Sequence, residues 1–155
     1  MIIRRAAADD ADALSDLAHR AKAHWGYPAQ WMRRWDAQLT IIPGYLELHD
    51  VWVAEHDSVI LGMCALEDRG DRWNLEHVWV EPSEHGHGVG RALVMHALEE
   101  AGRRRSGIVE LLADPYASGF YERLGARRAG TVPAPMPGAR DRTLPRYEFV
   151  LSGRP

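Results

Sequence analysis

The segment His85-Gly86-His87-Gly88-Val89-Gly90 constrains this chain more than any other. It follows the apolar run Val78-Trp79-Val80-Glu81-Pro82 and leads into a stretch with Val89, Leu93, Ala97 and Ala101 at helical spacing. A strand that turns through glycines into a helix makes a phosphate cradle. Glycines let an anion approach the backbone, and the free N–H groups and positive dipole end of the helix point at it. The spacing excludes two common cradles. A Walker loop needs G-x-x-x-x-G-K-[ST] and a dinucleotide fingerprint needs G-x-G-x-x-G. Here the glycines fall at 86, 88 and 90, and the only lysine, Lys22, lies far upstream.

At 155 residues the chain has the length of one domain, read as residues 1–155, able to bury a core without disulfides. A net charge of -3 gives no basic field, so nucleic acid is not an expected partner. The arginines are scattered or sit at helix ends, where a solvated face is expected. Cys64 is alone in the apolar run 59–66, which suits a buried structural cysteine rather than a nucleophile and implies a reducing, cytoplasmic setting. No signal-like start and no apolar stretch approaching about 18 residues is present, so no membrane partner is expected.

The patterning predicts a strand over 2–5 and a helix whose first turn holds Asp9, Asp10 and Asp12 and which ends at Gly26. A second helix opens at Pro28, carries Trp31, Trp35 and Leu39 on one stripe, and is interrupted by Pro43-Gly44. Strands over 51–55, 59–66 and 73–80 follow with short links, hence antiparallel. The glycine segment opens the next helix, which ends at Gly107. A strand over 108–113, a short helix over 116–124 and strands over 127–132 and 146–151 complete the order β-α-α-β-β-β-α-β-α-β-β. This is a single α/β (α+β) domain, a mixed and mostly antiparallel sheet with helices on both faces.

Residues 85–90 resemble the cofactor motif [RQ]-x-x-G-x-[GA] of the GNAT N-acetyltransferases, which follows a V-x-P strand end. Gly88 and Gly90 fall on the two small positions, and His85 stands where the family has Arg or Gln. A second block is similar to the family's N-x-x-A-x-x-F-Y-E-K-L-G-F segment: Asp114, Ala117, Phe120, Tyr121, Glu122, Leu124 and Gly125 keep every interval, with Asp114 for Asn and Ala126 for Phe. The resemblance spans nearly the whole chain. It implies the family's fold and an acetyl-CoA-dependent N-acetyltransferase that moves an acetyl group directly to the primary amine of a small molecule, without a metal. It also implies that the backbone of Val78, Trp79 and Val80 pairs with the pantetheine arm as an added strand. His85, Gly86, His87, Gly88, Val89, Gly90 and Arg91 then hold the pyrophosphate. Asp114 reads as a helix N-cap that also touches the cofactor.

Tyr121 matches the family position that protonates the leaving thiolate, and a phenol suits that task. The other reading of Phe120-Tyr121 is a core-facing aromatic pair. Glu76 and His77 interrupt an apolar strand, and alternation puts them on opposite faces, Glu76 with Val78 and Val80 and His77 with Leu75 and Trp79, unless a bulge intervenes. Glu76 is the favoured base, acting through a water, against the alternative of a rim carboxylate with no role. His85 and His87 lack the further ligands that zinc needs, although their protonation would strengthen phosphate binding. Trp25 and Tyr27, flanking Gly26 at a helix end, are the acceptor-pocket candidates, offering an apolar wall or cation–π contact. Trp31 and Trp35 read as core, and residues 133–142 as a mobile wall. Two other functions fit the same residues: a non-catalytic acyl-CoA binder or sensor, and a protein N-terminal or lysine acetyltransferase, which needs an open groove rather than an aromatic lid. Exposed edge strands near the C-terminus allow a homodimer.

Overall fold

The computed structural model describes residues 1–152. Its strands are β1 (Ile2–Arg5), β2 (Asp50–His56), β3 (Val59–Asp68), β4 (Trp73–Val80), β5 (Gly107–Leu112), β6 (Arg127–Pro133) and β7 (Thr143–Leu151). Its helices are α1 (Ala11–Ala23), α2 (Ala29–Leu39), α3 (Pro43–Leu48), α4 (Val89–Arg104) and α5 (Ser118–Arg123). The expected order holds, with one addition. Pro43 does not break the chain but opens α3, because proline at the first helical position forfeits an N–H that has no partner there anyway.

The strands form one sheet in the order β1-β2-β3-β4-β5-β7-β6. Every pairing is antiparallel except β4 with β5, which run parallel and meet only through Trp73 with Val109 and Asn74 with Glu110. Beyond Asn74 the two strands part. The edge of β4 from Glu76 to Val80 and the end of β5 therefore have no ladder between them, and a cleft opens there.

Two cores flank the sheet. On one face α4 lays Val89, Leu93, Val94, Ala97 and Ala101 against Trp73, Leu75, Val109, Leu111, Tyr147 and Phe149. On the other, α1 and α3 bring Leu14, Leu17 and Leu46 onto Val51, Val53, Met63 and Ala65. Cys64 is fully buried among the first set; its Sγ lies 3.5 Å from the Leu93 carbonyl, and burial pushes its thiol up to about 12, as suits a structural residue. The arginines are less idle than a solvated face. Arg5 and Arg104 converge on Asp50 at 2.5 and 2.6 Å, and Arg105 joins Asp68 at 2.7 Å while covering the Trp73 ring.

Candidate active site

The cleft left by the parted strands has a volume of about 840 Å³. At one end lies the glycine turn. Gly86 and Gly88 have φ of +81° and +85°, with nothing within 4 Å of where a Cβ would stand, so the space over them is open. Gly88 caps α4 and Val89 begins it, so the first-turn amides of a 16-residue helix face this end. At Gly90 an added Cβ would meet Phe120 at 3.2 Å. His85, Gly86, Gly88, Val89, Gly90 and Arg91 all line the cleft; His87 does not, and its ring stays exposed 3.3 Å from Glu84.

Val78, Trp79 and Val80 line the cleft along its β4 side, paired to β3 but not to β5. On this strand the structure corrects the alternation. The β3–β4 register slips between Ala65, which faces His77, and Leu66, which faces Leu75, so Glu76 is an extra, bulged residue. Leu75 and Val78 accordingly share the α4 core although three residues apart, while Glu76 turns to the opposite face with Asn74 and near His77. Asn74 donates to the Glu76 carboxylate at 2.6 Å, and Arg69 stands 3.8 Å away. Burial raises the Glu76 carboxyl above the usual range and the charge of Glu67 raises it further, against Asn74 and Arg69. His77 is buried without a charged partner of its own; its Nδ1 accepts from the Trp79 indole at 2.9 Å, and burial lowers it to about 4.

Tyr121 lines the cleft from α5. It is 7% exposed, and burial, with a smaller contribution from the Asp114 charge, holds its phenol protonated well past the ordinary value. Among the described residues its hydroxyl has no hydrogen-bond partner in the protein. The Tyr121 ring packs 5.0 Å from Phe120 in the core, and the residue also lines the cleft. Asp114 is the N-cap of a 3-10 turn over Pro115–Ala117, accepting from the Tyr116 amide at 3.0 Å. Its remaining capacity is taken by Lys22 and by the Tyr27 hydroxyl, each at 2.9 Å.

The aromatic region is divided differently from the sequence reading. Trp25 lines the cleft, but as the middle of a stack, 5.7 Å from His85 and 5.0 Å from Tyr116, which ties the end of α1 to the loops before α4 and α5. Tyr27 does not line it. It packs on Trp31 and Trp35, and these are half-buried surface residues rather than core. The chain's own cations fill that cluster: the Lys22 ammonium is 4.1 Å from the Trp35 ring, and the Arg142 guanidinium is 5.4 Å from Trp31 and 5.3 Å from Trp35. A cation–π seat for an acceptor is therefore already occupied. Residues 133–142 are pinned rather than loose, through Trp31 Nε1 donating to the Pro137 carbonyl at 2.8 Å and the Ala134 amide donating to that of Arg142 at 2.9 Å. Lys22, Gln38, Arg69, Asn74, Glu110 and Arg146 also line the cleft and escaped the sequence reading. Only Glu110, a charge inside an apolar strand like Glu76, carried a local signal.

A family model described as an acetyltransferase (GNAT) domain matches residues 47–125, just over half of the chain. The chain belongs to the GNAT acetyltransferase family. The GNAT match covers the bulged strand, the glycine turn, Asp114 and Tyr121, the parts that shape the cleft. A search of curated protein sequences finds no match. Among solved structures the chain is similar to PaiA N-acetyltransferase from Thermoplasma acidophilum in complex with coenzyme A, at 16% identity and a TM-score of 0.78 over 96% of this chain and 98% of that one. It is also similar to yncA from Salmonella typhimurium with its cofactor acetyl-CoA, at 20% identity and 0.73 over 100% and 96%. An aminoglycoside 6'-N-acetyltransferase complexed with coenzyme A aligns at 19% and 0.71 over 100% and 99%. At these identities the likeness is one of fold. Among the described residues no cluster of three or more His, Cys, Asp or Glu is placed to hold a metal ion, and no helix is long and apolar enough to cross a membrane.

Proposed function

We propose that this GNAT domain is an acetyl-CoA-dependent N-acetyltransferase acting on the primary amine of a small molecule by direct transfer in a ternary complex. One observation carries the reading: the gap between β4 and β5 puts an open glycine turn, an unpaired strand edge, the Tyr121 side chain and the Glu76 carboxyl on one continuous cleft. The residues fit the co-substrate. Gly86 and Gly88 leave the space that a diphosphate needs over the α4 terminus, and the free β4 edge suits the amides of a pantetheine arm. Bound acetyl-CoA supplies an acetyl thioester open to attack by a neutral amine.

Glu76, raised by burial and so a stronger base than a free carboxylate, is suited to take a proton from an incoming ammonium, directly or through a water. Tyr121, kept protonated by burial, holds a proton for a departing sulfur. The tie of residues 133–142 to α2 favours a small acceptor over a polypeptide tail, which needs an open groove.

A free-thiol assay with acetyl-CoA against amines, amino acids and aminoglycosides tests this. Turnover of at least one small amine is expected. Tyr121→Phe should lower kcat by about 10²-fold or more, the usual size of a positioned proton transfer, with coenzyme A affinity unchanged by calorimetry. Coenzyme A binding without thiol release from any amine would favour a sensor, and turnover of peptides alone would favour a protein acetylase.

A further inference from the structure

Lys22 is the only lysine in the chain, and it is not on the surface. Its side chain is 12% exposed, and it lines the same cleft as Glu76, Val78 and Tyr121. Lysine is rarely placed this way, because an ammonium loses its hydration when buried. Three neighbours surround the Nζ. The Asp114 carboxylate is 2.9 Å away, the Trp35 ring 4.1 Å and the Tyr27 ring 5.0 Å. Arg142 sits over the same rings as a second cation. Burial lowers the pKa of Lys22, Asp114 opposes the change, and Arg142 adds to the lowering. An acetyl acceptor needs an amine in the cleft, a base within hydrogen-bond reach and surroundings that favour the uncharged form. Lys22 has all three within its own contacts.

We propose that Lys22 is a self-acetylation site: without a small acceptor, the protein transfers the acetyl group of acetyl-CoA to its own Lys22 Nζ. The proposal rests on the reading of the cleft as the acetyl-CoA site. The Lys22 ammonium first gives one proton to Asp114. The Nζ lone pair then bonds to the acetyl carbonyl carbon, the carbon–sulfur bond breaks, and the nitrogen sheds a second proton. One of the two protons ends on the coenzyme A thiolate and the other in solvent, leaving Nε-acetyllysine and free thiol. The product amide carries no charge, so the Asp114 ion pair and the contact with Trp35 are lost. Its bulk stays in the cleft, which makes the modification a brake on the protein that carries it.

The full-length chain is incubated with acetyl-CoA alone, and its intact mass and tryptic peptides are followed with time. Trypsin no longer cuts after an acetylated lysine, so residues 21–33 should appear as one peptide carrying one acetyl group, absent from Lys22→Arg. The folded chain should react at least about 10²-fold faster than the urea-unfolded chain, the effect of a positioned base. Asp114→Asn should slow the reaction. Calorimetry with coenzyme A on the same sample separates the two readings. Binding and amine turnover with unmodified Lys22 would overturn self-acetylation alone, whereas no binding would overturn both. Equal rates in folded and unfolded chain, or acetylation confined to the amino terminus, would also overturn it.

Discussion

Two adjacent side chains on β4, Glu76 and His77, show how much one inserted residue can do. Without the bulge they would stand on opposite faces; with it the carboxyl reaches the cleft and the imidazole is sealed 5% exposed beneath it. His77 then has a consequence for stability. Its folded value of about 4 lies below the ordinary 6.5, so the native state keeps it neutral where an unfolded chain would already be protonated. The stabilisation is complete above about pH 6.5 and is lost as the pH falls towards 4. Across that window the gap amounts to roughly 3 kcal/mol. Asp10, held low by its bond to Arg4, loses its share only further down. Urea denaturation at pH 7 and pH 4.5 should therefore show wild type losing distinctly more stability than His77→Gln, which can still accept from the Trp79 indole. Parallel losses in the two proteins would show that His77 does not set the acid limb.

Helix α4 depends on a close approach that one residue permits. A Cβ at Gly62 on β3 would stand 3.0 Å from Leu93 Cδ1, Val89 Cγ1 and the Trp79 carbonyl, and the carbonyl is backbone that cannot swing aside. Gly62→Ala should cost about 1–3 kcal/mol in chemical denaturation, as overpacking does. By pushing the first turn of α4 outward it should also weaken coenzyme A binding. Unchanged affinity in a destabilised variant would separate the helix position from the cradle. In the sequence Gly62 reads only as a glycine in an apolar strand, although such a glycine can mark close backbone approach. Elements with strong local periodicity were legible in that way: β4, α4 and the glycine turn between them follow from apolar spacing and from residues suited to positive φ. The bulge at Glu76 was not, since the partner strand fixes it, and neither was α3, where Pro43-Gly44 looks like a break. Gly88, Gly90 and Tyr121, which the motifs pick out, all line the cleft. Lys22 and Arg146 reach the cleft only because α1 and β7 fold onto it from opposite ends of the chain.

For the molecule as a whole, the weak seam is the junction of β4 and β5. The sheet is continuous through only the pairs at Trp73 and Asn74, so the block β1–β4 and the block β5-β7-β6 are held together mainly by the shared core beneath α4. On the opposite face α1 and α3 cover only the first block, leaving the second with a polar network of Arg72, Glu110, Arg146 and Glu148. A ligand lying in the cleft substitutes for the missing ladder and should stiffen this seam rather than the fold at large. Coenzyme A at about 100 times its Kd should raise unfolding stability by about 2.7 kcal/mol through mass action. The rise in amide-exchange protection should concentrate at residues 76–80, 86–91 and 111–116, with β1 and β6 at the two sheet edges changing only by the global amount. If protection instead grows evenly over all seven strands, the cofactor is not bridging the seam; if it grows chiefly along β6, it binds elsewhere.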